Sequence, residues 1–202
     1  MKLILASQSP RRRDLLSMTG IPFETVPANC DEETILANFR ENDTDISRRP
    51  VVEKLALAKA RAVLGDYPDA LILAADTIVT LEGVLFGKPV DARDAKRMLR
   101  ALAGRTHLVD TGVALVSANS EDVFLSRSRV TFRPLTSVIE ALIDRYVETG
   151  LPLDKAGAYG IQELGGLLID RIEGDFFAVM GLPIAEVYER LQGYEDLEKA
   201  DR

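Results

Sequence analysis

The chain has 202 residues, a length that suits one large α/β domain or two small lobes with a buried core. Its composition, 47% hydrophobic and 28% charged, is typical of a globular protein and excludes the disordered and fibrous classes. The formal net charge of −7 argues against a protein that coats nucleic acid or an anionic membrane, since that function needs a broad basic surface.

The chain contains a single cysteine, Cys30, and a single histidine, His107. One cysteine excludes an intramolecular disulfide, and this pair is too small for a zinc site built from nitrogen and sulfur ligands, so a bound metal would be held mainly by oxygen atoms. No apolar run reaches the roughly 18 residues of a membrane span, and the N-terminal apolar segment is too short for a secretory signal. We therefore expect a cytoplasmic protein.

The hydrophobic pattern predicts alternating strands and helices. A short buried strand over residues 3–6 is followed by Ser9 and Pro10, a helix N-cap and first-position proline, and Gly20 ends that helix. The polar stretch 29–50 indicates a mobile loop with at most a short helix. Beyond it we expect a helix over 51–64, a strand over 71–81, a short hairpin strand that ends at 87–89, and a capped helix from Asp91 to Gly104.

The second half of the chain continues this alternation. Ser137 and Glu140 form a capping box for a helix that ends at Gly150. The other expected elements are strands over 107–116 and 127–132, a glycine-rich loop over 154–162, a strand pair around 166–172 and 177–180, and a helix over 183–191. No repeat or linker divides the chain, so residues 1–202 are interpreted as one domain with a frayed charged tail from about 193.

Arginines at residues 11–13 occupy the opening turn of the first helix, where the positive end of the helix dipole disfavours cations by about 0.3–1 kcal/mol each. A polyanion there would meet free backbone N–H groups, the hydroxyls of Ser7 and Ser9, and the guanidinium groups of Arg11 and Arg12. The cluster therefore suggests a phosphate site. The alternative is that the arginines point into solvent and pair with surface acids.

Two charged residues interrupt apolar patterns. Lys59 lies in the middle of the apolar face of its predicted helix, so its ammonium either extends to the edge of the core or reaches an anion in a cleft. Asp76 interrupts the apolar strand 71–81 and must be paired, metal-bound, functional or bonded to backbone amides, because an uncompensated buried charge is too costly. Lys88, in the turn 87–89, is a candidate partner, or it is simply solvated.

Familiar nucleotide and hydrolase motifs do not occur. The spacing from Gly83 to Gly87 is wrong for a P-loop, and Pro89 stands where that motif needs Ser or Thr. No dinucleotide fingerprint, serine-nucleophile motif or zinc-protease motif is found. His107 is interpreted as an ordinary strand residue, although counting alone does not exclude it as a base.

Five motifs, in order along residues 3–191, resemble the Maf family of nucleoside triphosphate pyrophosphatases, historically called septum formation inhibitors. The motifs are SQSPRR at 7–12, AADT at 74–77, GKP at 87–89, DKAGAYGIQ at 154–162 and GLP at 181–183. The resemblance implies a two-lobed α/β fold in which a long mixed sheet, flanked by helices, floors a deep cleft, distantly similar to inosine triphosphate pyrophosphatases.

The resemblance also implies hydrolysis between the α and β phosphates of a nucleotide with Mg²⁺ or Mn²⁺. Asp76 then corresponds to the proton acceptor, and Glu32, Lys59 and Lys88 correspond to other residues needed for activity. Asp76 and Glu32 become the expected metal ligands, although the neighbouring acids leave the alignment of Glu32 open. The groups expected to neutralise the phosphates are Ser9, Arg11, Arg12, Lys59 and Lys88.

Three residues resemble the branch of the family that acts on dTTP and UTP: Arg12, Thr77 and Gln162. The Gln162 amide offers one donor and one acceptor, which suit the O4 and N3–H edge of uracil or thymine. CTP and 5-modified uridine triphosphates are further expected substrates.

Two other functions compete with the enzymatic interpretation. A nucleotide-binding regulator of cell division without catalysis is disfavoured by the presence of Asp76, Lys59 and Lys88 together, since binding alone does not require an acid that faces a polyanion. A nucleic-acid-binding protein is disfavoured by the net charge of −7 and by an aromatic content of 6%. The oligomeric state stays open, although a homodimer is common for such folds.

Overall fold

The computed structural model describes residues 1–30, 35 and 51–194. Most of the predicted loop over 29–50, including Glu32, lies outside the described residues, and so does the tail over 195–202 that was expected to fray. Among the described residues, no helix combines the length and the apolar character that a membrane crossing needs.

Strands and helices alternate along the described chain. The strands are β1 (Leu3–Leu5), β2 (Phe23–Thr25), β3 (Leu71–Leu81), β4 (Val84–Phe86), β5 (Thr106–Ser117), β6 (Ser120–Phe132) and β7 (Ile169–Glu173). The α-helices are α1 (Pro10–Ser17), α2 (Val51–Leu64), α3 (Ala92–Leu102), α4 (Ser137–Glu148), α5 (Phe176–Met180) and α6 (Ile184–Leu191). Short 3₁₀ helices occupy Leu151–Asp154, Ala156–Ala158 and Leu164–Leu168.

The strands form one open mixed sheet in the order β2-β1-β3-β5-β6-β7, with β4 paired to β3. Strand β1 runs parallel to both neighbours, so Leu3 lies opposite Phe23 on one side and opposite Leu71 on the other. The β3–β4 and β6–β7 pairs are antiparallel. The predicted α/β class with a mixed sheet and flanking helices is confirmed.

The chain divides into two compact units. Unit 1 comprises Met1–Asp76, Thr111–Ser126 and Gly181–Arg202, and unit 2 comprises Thr77–Asp110 and Arg127–Met180. In unit 1, small and β-branched residues of α2, such as Ala56 and Val63, pack with Ile4 and Ile72. Unit 2 has its own core, which contains Phe132, Tyr146, Tyr159 and apolar residues of α3 and α4.

Several helix ends follow the predicted caps. Ser9 has an extended backbone and its Oγ accepts a hydrogen bond from Arg12 N at 3.5 Å, with Pro10 as the first helical residue. Asp91 caps α3 in the same way, because its Oδ1 accepts from Asp94 N at 2.7 Å. Both caps satisfy backbone donors that have no partner within the helix.

The predicted capping box at Ser137 and Glu140 is wrong. The N-cap of α4 is Thr136, whose Oγ1 accepts from Ile139 N at 3.3 Å, and Ser137 is already helical. The Glu140 carboxylate does not serve the cap because it forms an ion pair with Arg100 of α3.

The predicted strand over 177–180 is also wrong, since Phe176–Met180 forms α5. A short apolar run does not distinguish a strand from a buried helix by periodicity. Here the preceding residues decide: Gly174 has a φ of +125°, which breaks the path of β7, and Asp175 Oδ1 accepts from Ala178 N at 2.9 Å. The three residues of β2 were not predicted, because so short a strand has no readable period.

Candidate active site

Asp76 and Lys59, which the sequence marked separately, form one ion pair in unit 1. Asp76 follows the buried run of β3, and Lys59 extends from the buried face of α2. Lys59 Nζ lies 2.6 Å from Asp76 Oδ1, and the side chains are only 11% and 15% exposed. The prediction that Asp76 must be compensated is confirmed. Its partner is Lys59, whereas Lys88 is exposed and forms no ion pair with a described residue.

A glycine of β5 allows α2 to lie against the sheet. A Cβ added at Gly112 would come within 2.5 Å of the carbonyl group of Val52 and 2.6 Å of Glu53 N, in the first turn of α2. These are backbone atoms and cannot rotate away. Gly112 therefore sets the distance between the sheet and the helix that carries Lys59. A glycine inside an apolar strand is the signal that could have revealed this role from the sequence.

The Ser-Pro-Arg-Arg segment forms a tight turn from β1 into α1. Ser7 is buried and its Oγ accepts from Ser9 N at 3.1 Å. Arg11 and Arg12 are half-buried, whereas Arg13 is exposed, with its Nε 3.9 Å from the carboxylate of the following residue. The alternative, in which the arginines point into solvent and pair with surface acids, describes Arg13, while Arg11 and Arg12 are half-buried.

Arg12 is held by the last of the five motifs. Its Nε donates a hydrogen bond to Gly181 O at 2.8 Å, and both residues belong to unit 1. Gly181 has a φ of +120°, a conformation that favours glycine. The motif at 181–183 had no assigned role from the sequence, because a contact over this distance along the chain leaves no local pattern. Its role is to orient the guanidinium of Arg12.

The remaining candidate residues belong to unit 2, except Glu32, which lies outside the described residues. Thr77 follows Asp76 directly in β3 and is half-buried. Lys88 and Gln162 are both exposed. Their segments are joined, because Gly157 N, in the glycine-rich loop, donates to the carbonyl oxygen of the residue before Lys88 at 3.1 Å.

The donor set constrains how a metal could be held. Within residues 1–30, 35 and 51–194, no group of three or more His, Cys, Asp or Glu side chains is placed to bind a metal ion. Asp76 is a carboxylate already held by Lys59. Asp76 could offer one carboxylate to Mg²⁺, which in nucleotide enzymes uses one or two carboxylates together with substrate phosphates.

His107 is a residue of strand β5, and its side chain belongs to the aromatic core of unit 2. Its Nε2 is 2.9 Å from Tyr159 OH, and its ring packs edge-on against Phe132. Nδ1 is buried and has no hydrogen-bond partner among the described residues. Burial lowers the pKa of His107 from 6.5 to about 4, because a charged ring would be poorly solvated there.

This shift makes stability depend on pH. The unfolded chain takes up a proton at His107 as the pH falls below about 6.5, while the folded chain does not until about pH 4, so the free energy of unfolding falls across that range by up to about 3 kcal/mol. The variant His107→Gln, which keeps a partner for Tyr159 OH, is expected to lose this part of the pH dependence. Urea unfolding of both proteins at pH 7 and pH 5 measures the difference, and equal pH dependence would contradict it.

Comparison with known proteins identifies the family. The family described as Maf-like protein matches residues 2–194. The dTTP/UTP pyrophosphatase of Moorella thermoacetica is 52% identical over 192 residues, which cover 94% of this chain and 93% of that protein. Proteins of the same name from Thermosipho africanus and Bacillus cytotoxicus are 44% and 46% identical, over 100% and 96% of this chain and 98% and 96% of their own lengths.

The mixed sheet with flanking helices and the five motifs in order define the class of this α/β protein. The chain belongs to the Maf family, and the resemblance noted in the sequence is confirmed.

Proposed function

We propose that this chain hydrolyses dTTP and UTP to the nucleoside monophosphate and pyrophosphate. The observation that carries the proposal is identity of 44% to 52%, over almost the whole chain, to proteins named dTTP/UTP pyrophosphatase. The proposal extends to CTP and to 5-modified uridine triphosphates as further substrates, and it includes a cytoplasmic location, in keeping with a lone cysteine.

The proposed proton acceptor is Asp76. Lys59 engages Oδ1 and holds the carboxylate in one orientation, so we assign the second oxygen, Oδ2, to the attacking water. A carboxylate that accepts a hydrogen bond from water orients it and takes its proton as the oxygen bonds to phosphorus. The nearly complete burial of the pair favours this role, because electrostatic interactions are stronger where solvent is excluded.

The proposed phosphate-binding groups lie at the start of α1. We assign to the phosphates the backbone N–H groups of its first turn, the Ser9 hydroxyl and the guanidinium of Arg12, whose Nε donates to Gly181 O. Ser7 stabilises the turn because its Oγ accepts a hydrogen bond from Ser9 N. Arg11, Lys59 and Lys88 complete the proposed set of cations. These local charges matter because the protein as a whole, at −7, repels a polyanion.

A divalent cation belongs to the proposal. Asp76 and Glu32 are the residues that we assign to it, and when bound it would neutralise charge on the phosphate oxygens. The donor set described above suits Mg²⁺ or Mn²⁺ shared with substrate.

The proposed specificity depends on Arg12, Thr77 and Gln162. Gln162 is exposed at the end of the glycine-rich loop, where its amide is accessible to a ligand. We assign it to the base, with its N–H₂ group donating to O4 and its carbonyl accepting from N3–H. A purine has a larger ring system, so its polar edge would be displaced from these groups, and a hydrogen-bonded site penalises the loss of such pairs strongly.

The experiment that tests the proposed function measures pyrophosphate and orthophosphate separately. The purified chain is incubated with Mg²⁺ and with dTTP, UTP, CTP, ATP or GTP. Pyrophosphate from dTTP and UTP, well ahead of the purine nucleotides, is the expected result. Stepwise release of orthophosphate, or a purine triphosphate with an equal or higher kcat/KM, would overturn it.

A further inference from the structure

A buried polar network in unit 2 supports the loop that ends at Gln162. Lys155 is only 5% exposed, yet it carries a charge. Its Nζ contacts Leu151 O and Asp154 Oδ1, each at 2.6 Å, and Glu163 Oε1 at 3.1 Å. The ammonium thus donates to Leu151 O and Asp154 Oδ1 and forms an ion pair with Glu163. A buried charge is tolerated only when it is paired and hydrogen-bonded in this way.

The network continues from Glu163 through Tyr146 to Gly160. Tyr146 OH donates to Glu163 Oε2 at 3.0 Å, and the same hydroxyl oxygen accepts from Gly160 N at 3.0 Å. Burial raises the pKa of Tyr146, so the phenol keeps the proton that it donates. Gly160 and Glu163 stand on either side of Gln162 in the sequence. The network therefore restrains the backbone both before and after that residue.

Close packing removes free space beneath the loop. A Cβ at Gly160 would lie 2.7 Å from Lys155 Cε, and a Cβ at Gly165 would lie 2.8 Å from Gly160 O and 3.0 Å from Tyr146 Cε1. The backbone of the loop thus rests directly on the side chains of the network. We therefore expect a change in these side chains to affect the path of the loop.

The other end of the loop is restrained as well. Gly157 and Ala158 both have positive φ angles, +69° and +60°. This turn brings Gly157 N within 3.1 Å of Gly87 O, next to Lys88. The loop is therefore fixed at its beginning by the turn of Lys88 and at its end by the network.

We propose that Lys155, Glu163 and Tyr146 form a clamp that positions Gln162 and thereby sets the preference for the base of the nucleotide. The inference rests on the proposed function, which assigns Gln162 to the base. The clamp residues are positioning residues: they act through Gln162 and do not themselves contact the nucleotide. The competing explanation is that the network only stabilises the fold.

The variant Tyr146→Phe removes the hydroxyl that joins Glu163 to Gly160 and keeps the ring. We expect kcat/KM for dTTP to fall about tenfold with little change for GTP, since one hydrogen bond accounts for roughly this factor. Glu163→Gln, which keeps the shape and removes the charge that faces Lys155, should act in the same direction. The matched control is Tyr188→Phe, on the partly exposed side of α6 in unit 1, which should leave both values unchanged.

A second pair of variants separates positioning from stability. In a Gln162→Ala protein, adding Tyr146→Phe should not lower the ratio of kcat/KM for dTTP to kcat/KM for GTP any further, because the residue through which the clamp acts is gone. A different result would overturn the clamp: a Tyr146→Phe or Glu163→Gln protein that loses thermal stability but keeps the ratio of kcat/KM for dTTP to kcat/KM for GTP within about twofold of the wild-type value. That result would not contradict the proposed function. A wild-type protein without a preference for dTTP would overturn both.

Discussion

Asp76→Asn is expected to reduce the rate of pyrophosphate release by about 10²–10⁴-fold or more, while nucleotide binding stays intact or becomes tighter. The asparagine amide cannot take a proton from water. It also removes a negative charge that repels the phosphates and that Lys59, 2.6 Å from Oδ1, compensates in the native pair. Turnover is measured by pyrophosphate release, and binding by calorimetry with dTTP.

The matched control is Asp69→Asn. Asp69 is exposed, in the same unit and shortly before β3, and its neutralisation should leave turnover unchanged. Because breaking a nearly buried ion pair also costs stability, the thermal transition of Asp76→Asn must first show that it is folded at the assay temperature. A folded Asp76→Asn protein with nearly normal turnover would contradict the assignment of Asp76 as proton acceptor or metal ligand.

Gln162→Glu is expected to reduce kcat/KM for dTTP and UTP by about 10²-fold or more and to remove their advantage over GTP. The carboxylate accepts hydrogen bonds but cannot donate one to O4, so two acceptors would face each other. The 5-methyl group should matter less, so dTTP and UTP are expected to differ by only about 1–3 kcal/mol of transition-state stabilisation. Parallel measurements of kcat/KM for the three nucleotides provide the comparison.

Gln192→Glu is the control for this substitution. Gln192 is exposed at the end of α6 in unit 1, where its Nε2 donates to Tyr188 O. The same change of charge at that position should leave the preference intact. If Gln162→Glu also leaves the preference for dTTP and UTP over GTP unchanged, the base is not recognised by Gln162.

Local sequence patterns were sufficient where an element has both a clear period and marked ends. The helix predicted over 51–64 and the strand predicted over 71–81 have these bounds in the structure, as Val51–Leu64 and Leu71–Leu81. In the strand, the apolar residues before Asp76 are buried on both faces of the sheet, which produces a continuous apolar run.

Elements that depend on distant partners were not predictable. Strand β6 begins at Ser120, although the sequence suggested 127, because acidic residues at 121 and 122 are unusual in a strand. In the structure Glu121 pairs with Arg61 and Asp122 pairs with Arg190, each at 2.7 Å. Such ion pairs join residues far apart in the chain and leave no local signal.

The same distinction holds for the site. Lys59 and Asp76 were recognised because each is a charge in an apolar pattern, but nothing in the sequence paired them. Lys155 lies within a recognised motif, yet its burial and its ion pair with Glu163 depend on how the loop packs against Tyr146. A charge that breaks a local apolar pattern is visible in the sequence, whereas its partner on another element is not.

Hydrolysis of dTTP in H₂¹⁸O, with both products analysed by mass spectrometry, tests most directly whether water attacks the α phosphorus. Attack there forms the new P–O bond on the monophosphate and breaks the bond to the bridging oxygen, which leaves with pyrophosphate. The predicted result is one labelled oxygen in the monophosphate and none in pyrophosphate. Label in pyrophosphate, or in orthophosphate released before any pyrophosphate forms, would contradict the proposed activity.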